Sequence, residues 1–227
     1  MNFKEHSQII KDCLNLKNNP VGVKLFKKED EAKKLLPKIN NKILHCQGII
    51  NASNGESFYG TVNELKCETA IQILGLKALN EDLLNGSKFN KMNVTKTQNA
   101  GKRLIKNTAK LDKKIEAIGY MPLENVVVKP DVVVILGKAK QIFNLIRANT
   151  YNKGERLENS VSGTQSLCGD IIINTYLNNK LNISYGCIGS RLASDLKDNE
   201  IAIGIPISKL EEITTSLKIT KIPALTE

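Results

Sequence analysis

Four cysteines, Cys46, Cys67, Cys168 and Cys187, are the residues of this 227-residue chain best suited to chemistry. Thiolates ligate soft metals and iron–sulfur clusters, attack electrophiles and pair into disulfides. Their spacing is C-x20-C, then 100 residues, then C-x18-C. It contains no C-x2-C knuckle, so the common structural zinc motifs are absent. The local context is glycine-rich. Gly48 lies two residues after Cys46, Gly169 follows Cys168, and Gly186 and Gly189 flank Cys187. Glycine lets backbone N–H groups approach a thiolate or a cluster sulfide closely. Cys67 falls in the first turn of a helix predicted over 64–74, where the helix dipole favours a thiolate. A free cysteine is also a small apolar residue that packs well. That reading suits Cys13, on the apolar stripe of a predicted helix, and for the other four it stands beside ligation.

Other residues offer less. In Gly186-Cys187-Ile188-Gly189-Ser190-Arg191, Arg191 suits a bidentate grip on a carboxylate or phosphate, or a pair with Asp195 one helical turn on. Gln141 follows Gly137-Lys138 at a predicted strand-to-helix turn, a geometry that binds anions at the helix start. Neither G-x4-G-K-[ST] nor G-x-G-x-x-G occurs, so a nucleotide is not indicated. Ser166 and Thr164 precede Cys168 and bring hydroxyls to it, or simply cap a helix. With two histidines and no H-E-x-x-H, neither a zinc protease nor a Ser/His/Asp set is expected.

The elements that must position these residues alternate between strand and helix. Residues 3–16 have the period of an amphipathic helix, 20–26 of a strand, and 29–36 of a short helix stopped by Pro37. Residues 43–52, with His45 and Cys46, read as an apolar strand whose neighbours point to opposite faces. Helices are predicted over 64–74, capped by Asn63, over 76–84, and over the basic stretch 99–118, with a turn at 119–122. Residues 125–128 and 131–136 are dense in β-branched side chains, as strands buried on both faces tend to be. Helices follow over 139–148 and 166–177, and strands over 181–185 and 200–205. A capping box at 208–211 opens a helix to about 217. The fold class is α/β or α+β: a mixed sheet carrying helices, with a small helical insertion at about 66–117. No linker or repeat divides it, so residues 1–227 form one domain.

The 33 Lys+Arg exceed the 23 Asp+Glu by 33 − 23, a net charge of +10. Nucleic acid is not the expected partner. The lysines are spread along the chain, densest over 91–114, and aromatic stacking platforms are scarce at five Phe and five Tyr. No apolar run approaches the roughly 18–20 residues of a membrane span, and residues 1–16 lack the apolar stretch of a signal peptide. A cytoplasmic location is expected, where structural disulfides are rare.

A further set of residues recurs in order along nearly the whole chain. It comprises Pro20-Val21-Gly22-Val23-Lys24, Cys46, Leu65-Lys66-Cys67 through Leu74-Gly75-Leu76, Pro130-Asp131-Val132-Val133, Cys168, the segment Ser184 to Arg191, and Asn199-Glu200 through Gly204-Ile205-Pro206. The ensemble resembles the family called domain of unknown function 169, of methanogenic archaea and anaerobic bacteria. The resemblance implies four recurrent cysteine positions, matched by Cys46, Cys67, Cys168 and Cys187, and no assigned activity. Four thiolates, a reducing cytoplasm and an anaerobe-rich family together favour a [4Fe–4S] cluster. Zinc on the same thiolates, a Cys46–Cys67 redox pair, and a non-catalytic module that binds a metabolite or protein while its cysteines merely pack are the alternatives. A bound cluster implies electron transfer with a redox partner protein, or chemistry on a small anionic molecule held by Arg191, Gln141 or Ser166. The oligomeric state, including a homo-oligomer, is left open.

Overall fold

The β-branched run at 132–136 is buried on both sides because the sheet it belongs to is covered on both. A computed structural model describes residues 2–112 and 114–220. In chain order the elements are α1 (Phe3–Leu14), β1 (Val21–Phe26), α2 (Glu29–Lys33), α3 (His45–Ser53), β2 (Phe58–Gly60) and α4 (Glu68–Ile73). There follow α5 (Glu81–Leu84), α6 (Ser87–Lys91), α7 (Gln98–Asn107), β3 (Ala117–Pro122), β4 (Val132–Lys138) and α8 (Ala139–Tyr151). A π-helix (Ser166–Ile173) runs into α9 (Asn174–Asn178), and β5 (Asn182–Ser184), α10 (Ile188–Leu192), β6 (Glu200–Pro206) and α11 (Leu210–Thr220) complete the described chain.

The strands form one six-stranded sheet in the order β2-β3-β1-β4-β6-β5. The α/β class stands as expected. Among the described residues every ladder is antiparallel, and parallel pairing is confined to the isolated bridges Lys38–Tyr59 and Ile43–Leu65. Successive strand residues face opposite ways, and the sequence uses both directions. Val133, Ile135, Ile203 and Ile205 meet α1, α8 and α11 on one face. Val132, Val134, Leu136 and Ala202 meet α3, α4 and the π-helix on the other. The helical insertion is real: α4 to α7 connect β2 to β3, its neighbour in the sheet. Within the basic stretch 91–114, α7 buries Gly101 and Ile105 and leaves Lys102, Arg103 and Lys106 exposed; Lys113 lies outside the described residues.

Several elements differ from the sequence reading, each for a local reason. Residues 43–52 are not a strand. The Leu44 N–H donates to Gln47 Oε1 at 2.8 Å and starts α3, whose Ile49 and Ala52 are buried at helical spacing. Residues 117–122, read as a helix end and a turn, are β3, paired residue for residue with β1. Residues 125–128 are not a strand, because β1 already carries β3 and β4 on its two edges. The helix predicted from 64 begins only at Glu68, with Cys67 as its N-cap. The one predicted over 76–84 shrinks to α5, capped by Asn80.

Helix and sheet approach closely at Gly204 of β6. A Cβ there would lie 2.5 Å from Thr175 Oγ1 and 2.7 Å from the Ile171 carbonyl oxygen. Glycine at this position lets the π-helix lie directly on the strand.

Candidate functional site

All four cysteines of the dispersed set begin a helix on the same face of the sheet. Cys46 is in the first turn of α3, Cys67 is the N-cap of α4, Cys168 is in the first turn of the π-helix, and Cys187 is the N-cap of α10. Helix starts present unpaired N–H groups and a partial positive charge, which favour a thiolate. At Cys67 one of these N–H groups, that of Ala70, donates to Sγ at 3.4 Å.

The four sulfurs also act on one another. The Cys46 thiol is pushed well up, first by its interaction with Cys187, then by burial and by the charges of Cys187, Cys168 and Cys67. Burial raises Cys168 as well, with the charges of Cys67 and Cys187 adding to it. Cys187 goes the other way, down to about 4. The Cys46 thiol donates toward it, and the Ser166 hydroxyl, the Ser190 N–H and the Ser166 N–H add to the effect against burial. The Cys187 thiolate is therefore the anionic focus of the centre, and the Ser190 hydroxyl lies 3.7 Å from its sulfur. None of the four is in a disulfide, so a Cys46–Cys67 bridge is not formed. Among the described residues, no group of three or more His, Cys, Asp or Glu is drawn tightly enough to hold a metal ion. Four sulfurs on one zinc would lie about 3.8 Å apart, given bonds near 2.3 Å. A cluster sets its ligands on separate irons and spreads them wider. Four thiolates are a donor set that suits both a [4Fe–4S] cluster and a zinc ion.

Iodoacetamide alkylation of the metal-free protein checks the Cys187 thiolate. Cys187 should be labelled well before buried Cys46 and Cys168, at a rate that holds nearly level from pH 8 down to about pH 5. A Cys187 rate falling tenfold per pH unit over that range, as for an ordinary thiol, would refute the assignment.

The walls of the centre were only partly foreseen. Ser166 is there, fully buried, its hydroxyl 3.4 Å from that of Ser190. His45 is buried beside Cys46. Its Nδ1 and the Tyr120 hydroxyl are 2.8 Å apart, and burial lowers its pKa to about 4 against a smaller opposing pull from the Leu167 carbonyl, so the ring is neutral. Tyr120 is fully buried and feels the charges of Cys46 and Cys168, which, after burial, push its pKa up. Gly48 makes room for it, since a Cβ there would come within 2.8 Å of the Tyr120 ring. Asp170, two residues after Cys168, accepts a hydrogen bond from Ser184 Oγ at 3.0 Å, and burial raises its pKa to about 7. Neither Tyr120, read as part of a turn, nor Asp170 was singled out. The nearness of Asp170 to Cys168 was the available signal.

Two expected ligand-binding residues are occupied elsewhere. Arg191 donates to the carbonyls of Tyr185, Lys197 and Glu200, clamping the loop around α10, so its donors go to backbone rather than to Asp195. Gln141 accepts from the Lys138 N–H and donates to the carbonyls of Leu14 and Asn15, tying α8 to α1 on the opposite face of the sheet. Cys13 also packs on that opposite face.

The family DUF169, described as an uncharacterised ArCR, matches over residues 9–216. A protein of Methanocaldococcus jannaschii described as uncharacterised protein MJ0308 is 28% identical over 218 residues, covering 95% of this chain and 94% of that one. No solved structure gives a significant match. No helix among the described residues is long and apolar enough to cross a membrane.

Proposed function

For a chain that belongs to the DUF169 family, as this one does, we propose an iron–sulfur protein in which Cys46, Cys67, Cys168 and Cys187 hold one [4Fe–4S] cluster. The observation that carries the reading is the placement of the four cysteines at four separate helix starts on one face of the sheet. A bound cluster supplies a one-electron couple or a Lewis acid. The chain supplies the rest. Ser166 and Ser190 direct hydrogen-bond donors at the Cys187 sulfur, and such donors raise a cluster's reduction potential. Tyr120 and neutral His45 close the Cys46 side with a buried wall, which keeps water away. The protein then works in electron transfer or on a small substrate brought beside the centre, in a reducing, cytoplasmic setting. Zinc on the same thiolates is the second reading, favoured only by the identity of the donors.

The test is purification without oxygen. About four irons and four acid-labile sulfides per chain are expected. Each of Cys46→Ser, Cys67→Ser, Cys168→Ser and Cys187→Ser should lose most of the iron, and Cys13→Ser none. Iron and sulfide near zero would end the cluster reading, and one zinc per chain without iron would replace it with the second.

A further inference from the structure

We propose that the cleft beside the cysteine centre binds a small organic cation carrying an ammonium group. As a binding site it stands alone; as a substrate site it rests on the iron–sulfur reading above.

The cleft has a volume of about 570 Å³, within the usual range for small-molecule sites. Asp170 forms its inner wall, and through the π-helix it is two residues from Cys168. Its Oδ2 accepts from Ser184, while Oδ1 accepts no hydrogen bond from any described residue. Around it stand neutral hydrogen-bonding groups, among them Asn107, Asn174 and Ser160, with Leu104 and Leu177 as the apolar flank. The chain carries 33 Lys+Arg, yet among the described residues no lysine, arginine or histidine lines this cleft. The neighbouring cations are engaged. Lys110 donates to the carbonyls of Ile105 and Thr108, and Lys180, in the adjoining cleft, lies 3.6 Å from Glu158.

An anion would meet a carboxylate and no compensating positive charge. An ammonium group offers three donors. One can make a charge-assisted bond to Asp170 Oδ1 while amide and hydroxyl oxygens take the others. The carbon skeleton then covers Leu104 and Leu177. Asp170 is two residues from Cys168 on the π-helix, so a molecule seated here is held near the edge of the centre.

Calorimetric titration of the full chain at pH 8 tests this, with agmatine, putrescine and ethanolamine as probes and acetate, phosphate and inositol as controls. At least one cation should saturate, and none of the controls. Asp170→Asn should weaken that cation tenfold or more. Leu177→Lys, at a half-exposed wall position where folding tolerates change, should do the same by charge repulsion. The proposal is overturned if no cation saturates, if acetate or phosphate binds as well, or if Leu177→Lys binds like the unaltered chain. Iron content is read separately on the same samples. Iron without cation binding sinks the cleft proposal alone, and cation binding without iron sinks the cluster reading alone.

Discussion

Gly204→Val should lower the melting temperature by roughly 10 °C. The first added carbon alone would sit 2.5 Å from Thr175 Oγ1 and 2.7 Å from the carbonyl oxygen of Ile171. The hydroxyl could rotate away. The carbonyl could not, because it belongs to the π-helix, whose residues Ile171 to Ile173 are fully buried. Nor can the strand retreat, since β6 is held between β4 and β5 with α11 and α8 behind it. Overpacking of this kind costs about 3 kcal/mol or more where neither side yields. In a chain of this size each kcal/mol moves the midpoint by about 2–4 °C. Thermal unfolding followed by circular dichroism gives the answer, and a midpoint within about 2 °C of the unaltered protein would show that the π-helix can lift off the sheet. Cys168 rides on that helix, so iron uptake should fall with stability.

The second large effect is a pH dependence in the cluster-free protein. Asp170 has a folded pKa of about 7 against an ordinary 3.8. It stays protonated in the fold where the unfolded chain has already ionised. Its contribution to stability is therefore present below about pH 4 and lost as pH rises through 7, at up to about 1.4 kcal/mol per pH unit. Cys187 has the opposite sign. Its folded pKa of about 4 lies below the ordinary 9.0, so its contribution is present above pH 9 and lost as pH falls through 4. Between pH 5 and 7 the two slopes oppose each other and largely cancel. Asp170→Asn removes one of them and keeps an oxygen for the Ser184 hydroxyl. The variant should gain on the unaltered protein steadily from pH 4 to 7, by a few kcal/mol in all, and hold that gain at pH 8. Urea unfolding at four pH values measures the difference. A difference that stays constant with pH would mean that Asp170 is not held neutral by the fold.

The sequence made the architecture legible where hydrophobic period was strong. Residues 132–136 announce a strand covered on both faces, and 3–14, 139–151 and 210–220 announce the helices that cover one of them. It was misleading where apolar runs were short. Residues 43–52 have a composition that suits strand or helix equally, and the deciding contact, Leu44 to Gln47, is a side-chain bond that periodicity does not register. Residues 119–122 carry the turn-forming pair of a glycine and a proline, yet antiparallel pairing to β1 makes them a strand. At the site, the four cysteines could be chosen by type and glycine context. That their helix starts share one face of the sheet could not, because four segments far apart in sequence are brought together only by the sheet and its insertion. Tyr120 and Asp170 joined the centre through that same packing. Gln141 lies on the opposite face of the sheet, while Arg191 stays one helical turn from Cys187 with its donors turned to backbone carbonyls, which are invisible as targets in a sequence.

The 100 residues between Cys67 and Cys168 also set an order of events. Contacts this distant in sequence form late in folding, after the loops between them have closed. Cys187 depends further on a loop clamped against the start of β6. In short zinc-binding domains the metal organises the chain. Here the polypeptide must organise itself first, so loading of the proposed cluster would be a maturation step on an already folded protein. The buried Cys46 and Cys168 would then be reached through local opening, not during synthesis.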